Sequence, residues 1–436
     1  MTSAMTSAMT SAMTSATVES FRLGPYLAIR VAARETGESR DRALHIGFLL
    51  DVSYSMSGER LNAVQRTLAA LTPLFKPCDF CTIVSFSSTA RTVVNRLLLD
   101  AAGVAEFLRA TTAMTVEGNT NLGEGITLMA SLHTDYDAVI ILTDGEITAG
   151  VASNEGIQAL LTGFRDRPIH TLGYGANHNR RLLNHVALSS CGTYTFVDGE
   201  TTLPVSMADL VEGLRTEALH GAVLTVGGAT SIELNGEGTH RRIGGIVPGR
   251  PYWSVFQIPH GPATLTLNSV EATVVVDAAV EDVTGEALEE VKEQIMRARV
   301  VSLLAQGTAA LETGSRLAGA LDGQIQGLLD EIGESTRPLL LRMKGQLIDM
   351  RCYLRDLPPP PLPGDAVTRG DAGGWGPPPP AAAMARFTSV TGVLSSQRGV
   401  TSYYAGDDPD QTFSSPAQRS ASHQVSTQYS GSSDPA

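Results

Sequence analysis

The segment DVSYSMSG, residues 51–58, places three small oxygen-bearing side chains at alternate positions directly after the hydrophobic run ALHIGFLL. From such a turn, Asp51, Ser53 and Ser55 can all point at one place. Carboxylate and hydroxyl oxygens are hard ligands, and hard divalent cations such as Mg²⁺ and Ca²⁺ bind through oxygen. The spacing therefore indicates a candidate cation site.

Two later segments offer further oxygen ligands at predicted element ends. EGNTNLGEGI places Thr120 just before a predicted helix, and IILTDGE places Asp144 where a predicted buried strand stops. In a parallel sheet, the loops at the carboxyl ends of the strands meet at one edge. We therefore expect Thr120 and Asp144 to lie beside the three oxygens of DVSYSMSG.

A plainer interpretation of the same residues is helix capping, for which serine, threonine and asparagine are favoured. Ser55 or Ser57 would cap a helix that begins at ERLNAV, and Asn119 or Thr120 would cap one that begins at LGEGI. Capping explains each segment by itself, whereas a cation site explains three segments together. For that reason we prefer the cation site.

The elements that must position these residues alternate between strand and helix from residue 43 to residue 200. Apolar runs predict buried strands at LHIGFLL, CTIVSFSS, DAVIILTDG, PIHTLGYGA and GTYTFVDG. Segments with apolar residues at helical spacing lie between them, such as ERLNAVQRTLAALTPLF and AAGVAEFLRATTAM. Buried strands that alternate with amphipathic helices predict an α/β domain with a doubly wound, Rossmann-like parallel sheet covered on both faces.

The pattern changes on both sides of this α/β region. After a connecting helix predicted over 201–220, short alternating strands broken by Gly, Asn and Pro predict an antiparallel β-sandwich over 221–283. PYLAIRVAAR, within 18–42, alternates like a half-buried strand and has no partner in the α/β region. We expect it to pair with the β-sandwich, so that the α/β domain, 43–200, is an insertion.

The remaining segments are predicted from periodicity and composition. An apolar stripe at helical spacing predicts a small helical bundle over 284–356: Leu288, Val291, Ile295, Ala298, Val301 and Leu304. DLPPPPLPGD and GGWGPPPP predict a linker over 357–384. The fourfold MTSA repeat of 1–17 is predicted to be disordered, as is most of the Ser- and Gln-rich tail, 385–436.

Five residues in three segments resemble the metal-ion-dependent adhesion site of von Willebrand factor type A domains: Asp51, Ser53 and Ser55 as DxSxS, Thr120 in GNTN and Asp144 in TDG. The resemblance implies an open Rossmann-like domain that binds Mg²⁺, with Mn²⁺ or Ca²⁺ as other candidates. It also implies that the two serines and the threonine are direct ligands and that the aspartates act largely through water. Hydroxyl ligands leave the ion electrophilic, so a partner's Glu or Asp can complete the shell. A metal-dependent protein-binding module is therefore expected.

One position departs from the commonest form of this motif. Tyr54 stands where many members of the family have glycine. Position 54 does not supply a ligand in that motif. We therefore expect the tyrosine to alter the rim of the site and to leave the coordination unchanged.

The order of the other segments is similar to that of eukaryotic proteins that join this domain to a Vwaint-type C-terminal region. Some relatives of that kind carry a RING or U-box ubiquitin-ligase module. The four dispersed cysteines of this chain cannot build a RING. An adaptor that recruits a ubiquitin ligase in trans is the alternative function, and a metal-dependent hydrolase is a weaker one.

No residue set for another chemistry stands out in the sequence. Walker A, GxSxG and HExxH motifs are absent, and no general base is evident beside the candidate ion, so we do not expect an enzyme. His178 lies in a polar stretch and is expected to be solvated rather than liganded. Glu146, two residues after Asp144, is interpreted as easing helix entry or tuning the local field.

Composition limits the partners and the compartment. A formal charge of −13 and a pI near 5.2 argue against nucleic-acid binding. No apolar run reaches the roughly 18 residues of a membrane helix, and the N-terminal repeat lacks the regions of a secretory signal. We expect an intracellular, cytoplasmic protein without membrane insertion. Cys78 and Cys81 form a CxxC that we interpret as two half-buried thiols rather than a redox pair.

Overall fold

The structure, a computed structural model, describes residues 16–33, 43–132, 135–144, 147–164, 167–175, 178–197, 199–217, 219–232, 236–246, 251–258, 264–269, 273–277, 284–313, 318–355 and 416–431. The chain divides into two compact units. The β unit consists of residues up to Asp41 together with Thr216–Ile295. The α/β unit consists of Arg42–Arg215 together with the residues from Met296 onward. The β unit is thus assembled from both flanks of the α/β region, as the predicted insertion requires.

The described strands and helices follow one another along both units. The strands are β1 (Ala16–Leu23), β2 (Tyr26–Ala33), β3 (His45–Asp51), β4 (Phe80–Phe86), β5 (Ala90–Leu98), β6 (Ala138–Thr143), β7 (Ile169–Tyr174), β8 (Tyr194–Val197), β9 (Leu219–Val226), β10 (Thr230–Ser231), β11 (Gly236–Glu237), β12 (His240–Ile246), β13 (Tyr252–Gln257), β14 (Thr264–Asn268) and β15 (Thr273–Asp277). The helices are α1 (Glu59–Ala70), α2 (Ala101–Thr112), α3 (Leu122–Leu132), α4 (Asn154–Leu161), α5 (Arg180–Ser189), α6 (Thr202–Thr216), α7 (Gly285–Thr313), α8 (Ala318–Ile332), α9 (Pro338–Arg355) and α10 (Pro416–Gly431).

The β unit contains two antiparallel sheets, in the strand orders β1-β2-β13-β10 and β11-β12-β9-β14-β15. β2 pairs with β13, with Ile29 opposite Ser254. The PYLAIRVAAR strand therefore pairs with a strand that follows the α/β region in the sequence. The apolar side chains of the two sheets form one core that includes Leu27, Ile29, Val31, Leu224, Val226, Phe256, Leu265 and Leu267.

β1 was not predicted, because only the segment from Pro25 onward shows clear alternation. It forms a hairpin with β2 through a turn at Gly24, whose φ of +59° favours glycine. β1 begins at Ala16, so the last two residues of the segment predicted to be disordered, 1–17, belong to a strand. Residues 1–15 lie outside the described residues.

The α/β unit is built on a six-stranded sheet in the order β5-β4-β3-β6-β7-β8. Alternate residues of its strands enter two apolar cores. Phe48, Leu50 and Ile140 pack with α1, α2 and α6 on one face, whereas Leu49 and Ile141 pack with α3, α4 and α5 on the other. Because both faces are covered, the strands read as continuous apolar runs. The predicted α/β, Rossmann-like fold is confirmed.

The prediction of a wholly parallel sheet is wrong at one edge. β5 pairs antiparallel with β4, and no strand was predicted there. As an edge strand, β5 exposes much of its length, and its alternation is interrupted at Arg96, whose φ is +45°. The pattern therefore lacks the apolar run that marks the buried strands.

Three helices occupy the segment predicted as a helical bundle. α8 and α9 are joined by ion pairs from Arg351 and Arg355 to Asp322 (2.6 and 2.9 Å). α7 approaches α9 closely, since a Cβ on Gly307 would lie 2.7 Å from the sulfur of Met350. Within the described part of the chain, no helix is both long and apolar enough to span a membrane. The predicted linker, 357–384, lies outside the described residues.

α10 lies within the tail that was predicted to be mostly disordered. Its sixteen residues are largely polar, but Ala421, Val425 and Tyr429 recur every four residues and are buried. Val425 and Tyr429 join the same core as Phe48 of the central sheet. Such a sparse stripe is easily overlooked in a sequence read for composition.

Candidate metal centre

The candidate site lies at the carboxyl end of β3, in the middle of the six-stranded sheet. Asp51 is the last residue of β3, and the next residue, Val52, donates its N–H to the carbonyl of Phe86 at the end of β4 (2.9 Å). Asp144 directly follows β6, the other neighbour of β3. The two aspartates are only 1% and 2% exposed. The fold thus brings two buried carboxylates to adjacent strand ends.

Hydrogen bonds join four of the five predicted residues into one cluster. One carboxylate oxygen of Asp51 accepts the N–H of Ser53 (2.8 Å), and the other accepts the hydroxyl of Thr143. The hydroxyl oxygens of Ser53 and Ser55 are 2.9 Å apart. The Ser55 hydroxyl donates to Oδ1 of Asp144 (2.6 Å). The side-chain oxygens of Ser53, Ser55 and Asp144 therefore lie in hydrogen-bonded succession, with Asp51 held on the Ser53 backbone.

Thr120 is held in the loop that lies against DVSYSMSG. That loop is tied to the first by two backbone hydrogen bonds, from Tyr54 N–H to the Gly118 carbonyl (3.1 Å) and from Glu117 N–H to the Val52 carbonyl (2.7 Å). Gly118 has a φ of +64°, and a Cβ there would lie 2.6 Å from the Ser88 hydroxyl, so glycine is required. Thr120 is buried, but among the described residues its hydroxyl makes no hydrogen bond to the other four predicted residues.

Arg60 belongs to the same cluster and was not predicted. It lies on the first turn of α1, and its guanidinium pairs with Oδ2 of Asp144 and donates to the Ser55 carbonyl (3.0 Å). Arginine supplies no oxygen ligand, so the ligand pattern did not single out Arg60. Its position, two residues after Gly58 at the start of the helix that follows the site, was the feature that could have indicated it.

The charges of the cluster favour a cation. Burial raises the pKa of Asp51, and the nearby carboxylate of Asp144 raises it further, against hydrogen bonds from Thr143 and Ser53 that lower it. Arg60 pairs with Asp144, so the described cluster holds two buried carboxylates and one arginine. The other side-chain oxygens of the cluster are hydroxyl oxygens. An oxygen-only donor set with two carboxyl groups fits a hard divalent ion such as Mg²⁺.

The capping interpretation fails where the structure tests it. The residue before α1 is Gly58, and among the described residues no side chain, including those of Ser55 and Ser57, accepts a capping hydrogen bond at the start of that helix. Ahead of α3, the side chain that accepts a helical N–H is Asn121, from Glu124 (3.3 Å), and not Asn119 or Thr120. The predicted site residues are thus not needed as helix caps.

Two further predictions concerned the cysteine pair Cys78 and Cys81 and the glutamate Glu146. Cys78 is exposed and Cys81 is buried, so they are not the half-buried pair that was predicted, and both are free thiols. Burial raises the pKa of the Cys81 thiol, which keeps it protonated and unreactive. Glu146 lies outside the described residues.

His178 is buried, and the prediction that it is solvated is wrong. Its Nδ1 lies 2.7 Å from the Gly175 carbonyl, which can only accept, and its Nε2 lies 2.6 Å from the Tyr194 hydroxyl. The ring stacks on Phe196. Gly173 leaves the space that it fills, since a Cβ there would lie 2.2 Å from Nε2. The two aromatic neighbours, Tyr194 and Phe196, come from β8, which follows the next helix, so the polar local stretch gave no sign of them.

This burial predicts an acid-labile contribution to stability. Burial lowers the pKa of His178 to about 4 from its ordinary value of 6.5. The unfolded chain therefore binds a proton that the folded chain rejects, so the contribution is complete above the unfolded pKa and is lost as the pH falls toward 4. Between about pH 7.5 and pH 5 we expect wild type to lose about 2 kcal/mol of unfolding free energy on account of this residue. Urea unfolding at both pH values should show that loss in wild type and not in His178→Gln. Equal pH dependence in both proteins would contradict the assignment.

Known proteins share part of this sequence. Residues 46–146 match the family model of the von Willebrand factor type A domain. An uncharacterized protein of Synechocystis sp. is 26% identical over 206 residues, which are 45% of this chain and 48% of that protein. Inter-alpha-trypsin inhibitor heavy chain H3 of Homo sapiens is 25% identical over 162 residues, which are 34% of this chain and 18% of that protein. The chain thus spans about half the length of the first relative and under a fifth of the second.

Solved structures share the fold over more of the chain. A von Willebrand factor type A protein from Catenulispora acidiphila superposes with a TM-score of 0.60 at 13% identity, covering 87% of this chain and 96% of that one. The ArnB paralog VWA2 from Sulfolobus acidocaldarius superposes with a TM-score of 0.54 at 16% identity, covering 88% and 99%. At such identities the likeness concerns the fold alone.

Proposed function

We propose, from the premise that residues 46–146 form a von Willebrand factor type A domain, that this protein is a metal-ion-dependent protein-binding module. Such domains typically mediate protein–protein interaction. In the proposal, Mg²⁺ binds at the cluster around Asp51, and a glutamate or aspartate of a partner protein completes its coordination. Intracellular, cytoplasmic residence stays a prediction of the sequence.

The observation that carries the proposal is the hydrogen-bonded cluster that links Asp51, Ser53, Ser55 and Asp144. Buried carboxylates that face each other are costly unless a cation balances them. Arg60 balances only one of them. A set of this kind is therefore better explained as a cation site than as a structural hydrogen-bond network.

Each residue has a place in the proposed site. Ser53, Ser55 and Thr120 would offer hydroxyl oxygens to the ion, while Asp51 and Asp144 would act largely through water. Asp51 also holds the Ser53 backbone and the Thr143 hydroxyl, which keeps the loop in position. When bound, Mg²⁺ supplies a Lewis-acidic position for a carboxylate oxygen of the partner.

Tyr54 is a large apolar residue exposed at the rim of the site. It lies between two proposed ligands, its backbone N–H is fixed on Gly118, and it is 67% exposed. Exposed aromatic side chains next to a polar anchor are favoured at protein interfaces. We propose that its ring contacts the partner while the coordination stays unchanged.

Arg60 is expected to weaken metal binding, because its guanidinium occupies Asp144. Arg60→Gln removes a positive charge beside the site. Its side chain is 42% exposed, so solvent screens the charge, and we expect about fivefold tighter Mg²⁺ binding, which corresponds to about 1 kcal/mol. Isothermal titration calorimetry measures the change, with Arg109→Gln as the control because Arg109 pairs with Glu106 on α2. Unchanged or weaker binding in Arg60→Gln would contradict the competing role.

Affinity capture from cell extract tests the function itself. Wild type and Asp51→Ala are each presented to extract with Mg²⁺ and with EDTA, and Glu106→Ala, an exposed carboxylate on α2, serves as control. We expect a set of proteins retained only by wild type and Glu106→Ala, and only with Mg²⁺. The same set under all conditions would remove the metal from the recognition.

A further inference from the structure

The C-terminal helix α10 packs on α1, although residues 356–415 separate it from α9. Ala421, Val425 and Tyr429 lie on its buried side and are 5%, 0% and 7% exposed. Val425 and Tyr429 pack in the core to which Leu61, Val64 and Leu68 of α1 belong. The opposite side of α10 is open to solvent: His423, Gln424, Thr427 and Gln428. Among the side chains of α10 that the structure describes, one narrow stripe therefore makes the apolar contact.

A polar clasp closes the end of this contact. Nη2 of Arg66, on α1, donates to Glu200 (2.8 Å) and to the Tyr429 hydroxyl (3.3 Å). The guanidinium carbon of Arg66 also lies 5.3 Å from the centre of the Tyr429 ring. Glu200 follows β8 and is part of the α/β unit. The clasp selects a tyrosine at this position, because it uses both the ring and the hydroxyl.

The contact is small for a helix of this composition. α10 contains four serines and ends at Gly431, and isolated helices of about this length are marginal in water. Among the described side chains of α10, only Val425 and Tyr429 join the apolar core, and this small contact offsets the ordering of sixteen residues. Release of α10 is therefore expected to require less free energy than opening of the core that contains α1.

We propose that the α1 face around Arg66, together with Glu200, is a helix-binding site of the domain, and that α10 is its detachable intrachain ligand. The site selects a helix with a small residue, valine and tyrosine at four-residue intervals. α1 also carries Arg60, which pairs with Asp144. The surface thus lies on the helix that adjoins the candidate metal centre, but its occupation by α10 does not depend on a bound metal.

A synthetic peptide with the sequence of residues 416–431 tests this proposal on the full chain. Fluorescence anisotropy of the labelled peptide is measured with wild type, with Val425→Asp, which empties the site, and with Gln424→Asp, which changes the exposed side of the same helix. We expect at least tenfold tighter binding to Val425→Asp than to wild type or Gln424→Asp, because α10 competes in those two. A peptide carrying Val425→Asp should not bind. Tyr429→Ala is the second emptied variant, should Val425→Asp fail to fold.

Two results would overturn the proposal. One is a peptide that binds no variant, or binds all of them equally, because the α1 face would then not act as a separate site. The other comes from hydrogen exchange of wild type, in which α10 amides as protected as those of α1 would make α10 a permanent part of the core. Faster exchange in α10 than in α1, at pH 7 and without metal, is the expected result.

Discussion

Asp51→Asn is expected to weaken Mg²⁺ binding about 100-fold, the upper end of what loss of an orienting group costs a metal site. The substitution removes one of the two buried carboxylate charges and disturbs the hydrogen bonds to Ser53 N–H and the Thr143 hydroxyl. Isothermal titration calorimetry gives the dissociation constants. Two carboxylates are buried together in the metal-free protein, so removal of one relieves their repulsion. The variant should therefore remain folded.

The matched control for this substitution is Asp137→Asn. Asp137 lies at the opposite end of the same sheet and accepts the N–H of His45 (2.7 Å), the first residue of the strand that ends at Asp51. The Asp137→Asn variant should bind Mg²⁺ with the affinity of wild type. Mg²⁺ affinity within a factor of about two of wild type in Asp51→Asn would count against the site.

Asp79→Ala is expected to cost about 3–5 kcal/mol of unfolding free energy. Asp79 is fully buried at the amino end of β4, where its carboxylate pairs with Arg215 of α6 (2.5 Å). It also accepts the N–H groups of Leu44 (3.0 Å) and Lys76 (2.7 Å). Its removal leaves a nearly buried guanidinium and two amides without their acceptor. Urea unfolding with matched slopes measures the loss.

Asp100→Ala provides the scale for that loss. Asp100 caps α2 by accepting the N–H of Gly103 (2.8 Å), and loss of such a cap typically costs about 1 kcal/mol. The two variants remove the same side chain from different settings. Equal losses in both would show that the Asp79–Arg215 pair does not fasten α6 to the sheet.

The central strands and the cluster at their ends were predictable because both depend on local pattern. β3 and β6 are covered on both faces, so their sequences are apolar runs. The point where each run stops marks the carboxyl end of that strand. Asp51 and Asp144 stand at those points. Their proximity then follows from parallel pairing of the two strands.

What the sequence did not reveal depends on contacts between distant residues. His178 is buried by Tyr194 and Phe196, and its polar neighbours along the chain conceal this. Arg60 pairs with Asp144 only because α1 begins at the metal-binding loop. α10 is stabilised by α1 rather than by its own composition, so its three spaced apolar residues were read as part of a polar tail.

Diffraction from crystals grown with Mn²⁺, recorded at its absorption edge, tests the metal centre most directly. Mn²⁺ accepts the oxygen ligands that Mg²⁺ prefers and can be located by its anomalous signal. The proposed function predicts an anomalous peak among the side chains of Asp51, Ser53, Ser55, Thr120 and Asp144, and its loss in crystals of Asp51→Asn. Saturating Mn²⁺ without a peak at that position would contradict the proposal that this domain binds its partner through a metal ion.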